Sequence, residues 1–529
     1  MSKVAQYLNE HIIGEVTSSS RVREAHAIDG SILRSVPELV MFPRVTTDIR
    51  KAARFSWQLA EKGHRLSVTA RGGGNDATGG AIGSGLVMSL SRHMNSILYV
   101  GHEKERFVHV QPGVTLKTLS DALAWKGFAI DGADASPTGT VGGAIARNLR
   151  TDYGGRSGRI GDSVERLEVV LANGDMIETK RISRKELNRK KGLQTLEGEI
   201  YRQIDAIIED NSHVIEGLSR ENLTDNVGYR IERVKQKDGS FDLTPLFIGS
   251  QGTLGIISEA VVRTSYFNQR PEVLVVLTAS THEARDLADA LSKLQPSTLD
   301  IIDGRVYEDA FREGKRYLFT TEDGPSNVGG VVYVSFDDAK DKQRDKKLKK
   351  ALKICNNLRL AVYSSQAYAF EELDAIRDVW TTVGVLSESK ESYVSLLDQA
   401  IIPTDRNEEF ESALQELAAK HHIILPLHMR LRDGSVETRP LLDLTKVSDK
   451  QRVFKLVADY AALITQFGGV AYGNQAEGRI GAFAAYPQYG EQELEVYKKI
   501  REIFDPYGTL NPGVKQPQDI KTLVSMLNA

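Results

Sequence analysis

Two glycine-rich stretches constrain this chain more than any other feature. Residues 70–81 read ARGGGNDATGGA, and residues 136–144 read SPTGTVGGA. Each follows apolar runs that are typical of strands, at residues 66–69 and at residues 107–111 and 128–130. Because glycine has no Cβ, consecutive backbone N–H groups can point into one concavity, which is how proteins bind a diphosphate. Two such loops, one of them with an arginine, predict a large dinucleotide between them; the alternative is two unrelated glycine turns.

The first loop does not match the fingerprint of a Rossmann fold. In that motif a helix opens at the second or third glycine and receives the diphosphate at its N-terminus. Here glycines continue at positions 79, 80, 83 and 85, and each would cost a helix about 1 kcal/mol. A Gly-Lys-Ser/Thr sequence follows neither cluster, so the sequence does not support an ATP-binding P-loop.

With further motifs, the two loops resemble the FAD-binding oxidoreductases of the vanillyl-alcohol oxidase and p-cresol methylhydroxylase (PCMH) superfamily. Within it, the likeness is strongest to the group of the glycolate oxidase subunit and D-lactate dehydrogenase. Residues 249–257 (GSQGTLGII) resemble the stretch that lies beside the flavin in this group, and residues 505–513 (DPYGTLNPG) resemble its C-terminal signature. An entry segment with Asp29-Gly30-Ser31 also matches. The matching motifs extend nearly from end to end.

The resemblance implies an α+β fold, with a two-subdomain PCMH-type FAD-binding domain and a ferredoxin-like α+β cap domain that binds the substrate. We expect an N-terminal segment at residues 1–35, the FAD-binding domain at 36–268, the cap at 269–474, and a C-terminal segment at 475–529 that returns to the FAD domain. Local patterns predict a helix capped by Thr47 and running to Glu61, and a hairpin over 165–179 that turns at Asn173-Gly174. In the cap they predict strands at 273–278 and 330–336 and helices at 283–294 and 338–356.

The resemblance also implies which residues bind FAD. They come from the two loops, from residues 249–257 and from the C-terminal signature: Arg71, Gly72, Gly73, Gly74, Asn75, Asp76, Pro137, Thr138, Gly139, Thr140, Gly142, Gly143, Asn148, Gly252, Gly255, Ile256, Ile257 and Asn511. Relatives with a covalent flavin usually carry a histidine where this chain has Asn75, and some add a cysteine near the second loop. The sole cysteine, Cys355, falls in the expected cap. We therefore expect non-covalent FAD.

Composition agrees with a large enzyme that binds neither nucleic acid nor a structural metal. The chain has 529 residues, 41% of them hydrophobic, and a net charge of −3 with no concentrated basic stretch. One cysteine excludes a disulfide framework and a thiolate metal site. The N-terminus has no apolar signal core, and no apolar run approaches the ~18 residues of a membrane span. We expect a cytoplasmic protein; the charged residues 340–350 predict a solvated helix face rather than a surface for anionic lipid.

The sequence departs from the resembled group where that group binds a divalent metal. Many of its 2-hydroxy-acid dehydrogenases carry Gly-His-x-Gly-Asp-Gly-Asn-x-His, and Arg430 and Glu437 stand at its two histidine positions. A later Gly-Glu-His-Gly supplies a carboxylate ligand and a histidine base, and here Asn474 and Gln475 stand at those positions. We therefore expect no metal. An alternative register would use His428 with His421 or His422, but residues 423–427 read as a buried strand, beside which a histidine is usually structural.

The remaining polar residues indicate how a donor would bind. Arg377 matches a cap arginine that holds the substrate carboxylate in relatives, and guanidinium geometry suits a carboxylate or a phosphate. We expect Arg377, Arg430, His428 and Asn474 to form the catalytic site, with Arg432, Arg439, Arg479, Tyr472 and Glu437 nearby. Salt bridges between the two domains are the alternative role for several of these arginines.

These expectations combine into an FAD-dependent oxidoreductase that transfers a hydride from a hydroxyl-bearing carbon of a small, anionic organic donor to FAD. The alternatives are a metal-free oxidase or dehydrogenase of a bulkier alcohol, phenol or sugar, and a flavin-carrying subunit of a multi-component dehydrogenase. The electron acceptor (a quinone, an electron-transfer protein or oxygen) and a homodimer stay open. So does a peripheral position at the inner membrane face.

Overall fold

The computed structural model describes residues 3–102, 104–130, 136–150, 158–218, 225–266, 271–325, 328–338, 340–382 and 390–528. The chain divides into two compact units, of which the first contains Met1–Thr151, Gly158–Tyr266 and Tyr472–Asn528 and the second contains Phe267–Ala471. Tyr472 thus opens the C-terminal part of the first unit, whereas we expected the cap to extend through Asn474. None of the helices in the described ranges has the length and apolar character needed to cross a bilayer.

The first unit contains two sheets of different character. One has four strands, in the order Glu15–Thr17, Leu39–Phe42, Leu86–Ser89 and Val68–Arg71, and its last three strands run parallel. The other is an antiparallel sheet of five strands, in the order Ile97–Val100, Phe107–Val110, Ile256–Arg263, Val164–Val170 and Met176–Thr179. A small antiparallel pair joins Phe128–Ala129 to Ser265–Tyr266. The two sheets correspond to the two subdomains that the sequence predicts.

Helices cover these sheets and bury two apolar cores of the first unit. They are Lys3–His11, Ser20–Ala25, Thr46–Glu61, Leu116–Ala124, Val141–Arg147, Arg184–Lys191, Leu196–Asp210, Ser212–Leu218, Thr244–Phe247, Ile480–Ala485, Glu491–Phe504 and Ile520–Ser525, with 3-10 turns at Ile160–Ser163, Ile231–Arg233 and Tyr486–Gln488. Thr115 caps its helix, since its hydroxyl accepts a hydrogen bond from the Thr118 N–H. The predicted hairpin is confirmed, and Gly174 adopts the left-handed φ of +81° that its turn requires.

The second unit is built on one antiparallel sheet of seven strands. Its first four, in the order Ala361–Ser364, Glu272–Thr278, Gly330–Phe336 and Thr298–Asp303, are joined with the helices Thr281–Ser292 and Asp341–Asn357 in the ferredoxin-like arrangement. Three more strands extend the sheet: Leu427–Arg430, Ser435–Thr438 and Leu397–Ile401. The other elements are a strand pair, Ser392–Tyr393 with Leu441–Leu442, and helices Arg305–Arg312, Phe370–Asp374, Val379–Thr382, Asn407–His421 and Val447–Gln466, with a 3-10 turn at Thr404–Arg406.

Each face of this sheet carries a different core. Alternate strand residues such as Leu274 and Val334 pack with the two ferredoxin-like helices. The opposite set, which includes Val275 and Tyr333, packs with the helices Arg305–Arg312 and Phe370–Asp374. All seven residues of Gly330–Phe336 are buried, as expected for a central strand covered on both sides. The α+β fold class is thereby confirmed.

Two local predictions were wrong. The helix that we expected to follow a Thr47 cap begins at Thr46 instead. The carboxylate of Asp48, in its first turn, accepts hydrogen bonds from the N–H groups of earlier residues, including that of Arg44. The buried strand that we predicted at 423–427 lies further along the chain, at Leu427–Arg430, and Ile424 is exposed. This displacement places His428 inside the strand rather than beside it.

Candidate FAD cleft and cap charge network

A cleft lies between the two glycine-rich loops in the first unit. Its lining comes from both loops, from the turn that precedes strand Ile256–Arg263 and from residues between them: Ala70, Arg71, Gly72, Gly73, Gly74, Asn75, Asp76, Gly80, Ala81, Leu90, Pro112, Thr140, Gly142, Gly143, Ala146, Arg147, Ser250, Gln251, Gly252, Gly255, Ile256 and Ile257. The lining is mostly backbone and small side chains.

The first loop is held in shape by the buried carboxylate of Asp76. This carboxylate accepts hydrogen bonds from the N–H groups of Thr78 and Gly80, at 3.1 and 2.7 Å, and from the Gln251 amide at 3.1 Å. The Arg147 guanidinium lies 3.4 Å from it. We predicted Asp76 as a cofactor ligand, and in the structure its carboxylate oxygens accept hydrogen bonds from other parts of the protein.

The arginine of the first loop also bonds protein carbonyls. Nη1 of Arg71 donates to the carbonyl oxygens of Ile28 and Ala81, at 2.8 and 3.2 Å. Burial lowers the pKa of Arg71, and the nearby Asp29 carboxylate opposes that shift. Burial and the charge of Asp76 raise the pKa of Asp29 to about 6, against hydrogen bonds from Ser31 and Ala81. The guanidinium therefore fixes the path of the loop at the edge of the cleft.

The second loop packs directly on the first. A Cβ built on Gly73 would lie 1.8 Å from the carbonyl oxygen of Thr138, and one built on Gly72 would lie 2.2 Å from the Thr140 hydroxyl. Thr140 caps the helix Val141–Arg147 by accepting a hydrogen bond from the Gly143 N–H. Glycines at 72 and 73 are therefore required by loop-to-loop contact as well as by approach to a ligand.

Two asparagines among the predicted ligands connect protein segments instead of lining the cleft. The side chain of Asn511 donates to the carbonyl oxygens of Gly80 and Gln251, both at 2.8 Å, and thereby links the first loop to the third lining segment. Asn148 ends the helix Val141–Arg147 at a φ of +52°, and its amide donates to Asn226 at 2.6 Å. Pro137, Thr138 and Gly139 also lie outside the lining.

The C-terminal part of the first unit ties the cleft together through residues 473–479. Backbone N–H groups of Ala476 and Arg479 bond the carbonyl oxygens of Arg147 and Thr78, both at 2.9 Å. Nitrogens of the Arg479 guanidinium donate to the carbonyl oxygens of Gly79, Ile82 and Pro512. Arg479 is thus structural, and burial lowers its pKa to about 10. The carbonyl of Asn474 accepts from Arg159 within this unit.

The other predicted catalytic residues lie in the second unit, in a network of charged side chains along the extended sheet. At its buried end, Arg377 Nε donates to Asp300 Oδ2 at 2.9 Å, and His428 Nε2 lies 3.3 Å from the same oxygen. Burial alone would raise the pKa of Asp300, but the Arg377 guanidinium, the His428 hydrogen bond and the charge of Arg430 hold it well below its usual value. Arg377 also stacks over the Tyr333 ring at 4.8 Å.

The network continues from His428 to two further arginines. His428 Nδ1 lies 3.6 Å from Glu437 Oε2, and Arg430 Nη2 lies 3.2 Å from the same oxygen. Arg439 Nη2 donates to Glu437 Oε1 at 2.8 Å and lies 3.5 Å from Asp398. Arg377, Arg430 and Arg439 therefore form ion pairs inside the cap. Salt bridges between the two domains were the alternative role that we considered for several arginines.

Family models match both units. The model of an FAD binding domain matches residues 37–180, and the model of the C-terminal domain of FAD linked oxidases matches residues 269–514. The chain belongs to the FAD-linked oxidases. FAD is accordingly its cofactor, and the cleft fits it, because glycines of both loops line its walls and let a diphosphate approach the backbone closely.

Curated relatives match nearly the whole chain. D-2-hydroxyglutarate dehydrogenase of Pantoea ananatis is 26% identical over 542 residues, with 98% of this chain and 52% of the relative covered. The glycolate oxidase subunit of Bacillus subtilis is 25% identical over 505 residues, with 93% and 91% covered. D-lactate dehydrogenase of Archaeoglobus fulgidus is 25% identical, with 85% of each covered. The chain spans about half the length of the D-2-hydroxyglutarate dehydrogenases that it matches.

Solved structures agree on the fold. 4-Ethylphenol oxidase from Gulosibacter chungangensis superposes with a TM-score of 0.67 at 14% identity, covering 98% of both chains. p-Cresol methylhydroxylase superposes with a TM-score of 0.65 at 14% identity, covering 95% of this chain and 94% of that one. These matches establish the PCMH-type fold of this FAD-linked oxidase.

The residues at the predicted metal positions do not fit a metal ion. Arg430 and Glu437 form an ion pair with each other, and a guanidinium cannot serve as a ligand. His421, one of the two further histidines that we considered, bonds Asp459 at 2.8 Å. In the described ranges, no three His, Cys, Asp or Glu side chains converge as a metal site would require.

Sequence reasoning missed several residues of this FAD-linked oxidase. Arg147 and Gln251 both line the cleft and contact Asp76, yet neither was predicted as a cofactor residue. Gln251 lies within the quoted 249–257 motif, where only glycines and isoleucines drew attention. Asp300 has no motif around it, and its role appears only once the sheet places it beside Arg377 and His428.

Proposed function

We propose that this chain is an FAD-dependent dehydrogenase or oxidase that acts on a hydroxyl-bearing carbon of a small anionic donor, of the 2-hydroxy-acid class. Bound FAD supplies the acceptor for the two electrons and the hydrogen that leave the carbon. Relatives named for 2-hydroxyglutarate, glycolate and lactate support this donor class. The observation that carries the proposal is the pair of cap arginines, Arg430 and Arg439, which flank one carboxylate and suit a second.

The FAD of this proposal is bound without a covalent link. Asn75 lines the cleft at the position where covalent relatives carry histidine, and an amide side chain forms no such bond. Cys355 is buried in an apolar core of the second unit, and burial raises the pKa of its thiol to about 11. Affinity then depends on the cleft alone, which supports the dissociable cofactor that we expect.

Exposure supports different roles for the arginines. The Arg377 side chain is 3% exposed and pairs with Asp300, so it holds the sheet rather than the donor. The side chains of Arg430 and Arg439 are 15% and 17% exposed. A donor carboxylate therefore binds Arg430 and Arg439 in this proposal, and the role first predicted for Arg377 passes to Arg439.

Two other functions stay alternatives. Because the residues at the metal positions suit no metal, the donor could instead be a bulkier alcohol, phenol or sugar. The replacement of the metal-binding residues also fits a flavin-carrying subunit of a multi-component dehydrogenase. The chain's match to about half the length of the D-2-hydroxyglutarate dehydrogenase is compatible with that role. A cytoplasmic location, a homodimer and the electron acceptor stay predictions.

Anaerobic flavin bleaching separates these functions. The FAD-loaded chain is mixed with D- and L-2-hydroxy acids, with matched neutral alcohols and with phenols, and absorbance near the flavin maximum is followed. Bleaching by 2-hydroxy acids that weakens in Arg430→Met supports the proposal. Bleaching by neutral alcohols that is indifferent to Arg430→Met supports the bulkier donor, and no bleaching by any donor without a second protein supports the subunit.

A further inference from the structure

Arg147 lines the cofactor cleft from the end of the helix that follows the second loop. This helix is Val141–Arg147, and its first turn contains Gly142 and Gly143, which line the same cleft. The backbone of Arg147 is fixed, because its carbonyl oxygen accepts a hydrogen bond from the Ala476 N–H at 2.9 Å. A side chain with a permanent positive charge therefore borders the cleft from a fixed helical position, and it is 16% exposed.

The guanidinium group of Arg147 makes few bonds to the protein. A guanidinium has five N–H donors, and among the described residues this one makes a single hydrogen bond, from Nη1 to the carbonyl oxygen of Asn75 at 3.2 Å. In the same part of the chain Nε is buried without a hydrogen-bond partner, although it lies 3.4 Å from the Asp76 carboxylate. A buried donor without a partner costs free energy, which a ligand that accepts hydrogen bonds would recover.

The Asp76 carboxylate does not depend on Arg147 alone. It accepts hydrogen bonds from the N–H groups of Thr78 and Gly80, from the Thr78 hydroxyl and from the Gln251 amide. Arg147 can therefore turn from Asp76 toward an anion in the cleft while the carboxylate keeps these hydrogen bonds. In oxidised FAD the anionic group is the diphosphate, and guanidinium geometry suits phosphate oxygens.

The second arginine of the lining, Arg71, is less available to a ligand. Its Nη1 donates to the carbonyl oxygens of Ile28 and Ala81, and the Asp29 carboxylate attracts its charge. Within the described ranges, Arg71 and Arg147 are the two cationic side chains that line the cleft. Because more bonds tie Arg71 to the protein, Arg147 is the more available cation.

We propose that Arg147 binds the diphosphate of FAD and thereby sets the affinity of the cleft for this cofactor. Arg71, which the sequence predicted as an FAD residue, shapes the first loop, and Arg147 supplies the positive charge. The inference adds a residue to the cofactor site and does not depend on which donor reduces the flavin. Failure of 2-hydroxy acids to reduce the flavin would therefore overturn the proposed function and leave the role of Arg147 untouched.

The affinity for FAD gives the first test. FAD is removed from the full chain, and its rebinding is titrated by quenching of flavin fluorescence at several ionic strengths. Arg147→Gln should raise the dissociation constant by about 10- to 150-fold, the effect of losing a hydrogen bond to a charged group, and should weaken its salt dependence. Arg147→Lys should retain the salt dependence. The matched control, Arg181→Gln, changes an exposed arginine of the same unit that pairs with Asp238, and should bind FAD as wild type does.

Phosphorus NMR identifies the part of FAD that Arg147 contacts. At saturating FAD, Arg147→Gln should shift the phosphorus resonances of the bound cofactor and leave the midpoint potential of the flavin unchanged. Wild-type affinity in Arg147→Gln would overturn the proposal. Unchanged phosphorus resonances would also overturn it, since a shifted flavin potential would then place Arg147 at the ring, and an unchanged potential would make the residue structural. If Arg147→Gln does not fold, Arg147→Lys gives the same spectroscopic readouts with the charge kept, and the same outcomes decide.

Discussion

The contact between the two glycine loops predicts that Gly73→Ala weakens FAD binding. The added Cβ would lie 1.8 Å from the Thr138 carbonyl oxygen, whereas ordinary contact begins at 3.4 Å. The loops must therefore separate by about 1.6 Å to relieve the overlap. Overpacking of this kind costs about 1–3 kcal/mol. If the cost falls on the arrangement that binds FAD, the dissociation constant rises by about 5- to 150-fold.

FAD is removed from each variant, and its rebinding is titrated by quenching of flavin fluorescence, with the melting temperature of the FAD-free protein measured beside it. Gly217→Ala is the matched control, because a Cβ at that helical position meets nothing within 4 Å. We expect the control to bind FAD as wild type does. Wild-type FAD affinity in Gly73→Ala would refute the argument that this contact shapes the cleft.

Three further outcomes are expected. Arg377→Met should lower the free energy of unfolding by about 3–5 kcal/mol because it leaves Asp300 buried without its guanidinium partner. Arg430→Met should instead fold normally and lower kcat/KM for an anionic donor by about 10²-fold. Equal unfolding curves for the two variants would contradict this division of roles. Acid precipitation should release free FAD into the supernatant, and a yellow pellet would indicate a covalent bond. Because the pKa of Asp29 is raised to about 6, the folded chain keeps a proton that the unfolded chain loses near pH 4. Asp29 therefore lowers the stability of the fold as pH rises from about 4 to 6. Asp29→Asn should remove that part of the pH dependence of chemical denaturation, and an unchanged pH dependence would show that Asp29 titrates normally.

The cofactor cleft was accessible to sequence reasoning because glycine marks it. Gly72 and Gly73 are needed because the two loops approach each other closely there, which is a local requirement that the sequence displays. Asn511 was found by its motif, but its action as a link between Gly80 and Gln251 joins segments more than 200 residues apart. Arg147 gave no signal, because nothing in its own sequence neighbourhood says that it will contact Asp76.

The cap was harder to predict because its chemistry depends on strand pairing. Arg377 was expected to bind the donor, but its partner Asp300 lies 77 residues away and meets it only in the folded sheet. The pairing of Arg430 with Glu437 could not be predicted for the same reason, since Glu437 reaches Arg430 across an antiparallel strand pair. The wrong position of the strand predicted at residues 423–427 had a local cause. An apolar run was assigned to a strand, although Ile424 faces solvent.

One measurement tests the central claim that this FAD-linked oxidase oxidises an anionic donor without a metal. The chain is dialysed against a chelator, loaded with FAD, assayed for Zn, Mn and Fe, and then titrated anaerobically with D-2-hydroxyglutarate, D-lactate and glycolate. The account predicts that at least one of these donors bleaches the flavin while the sample holds far less than one metal ion per chain. Bleaching that disappears with the chelator and returns with one added divalent ion per chain would contradict it.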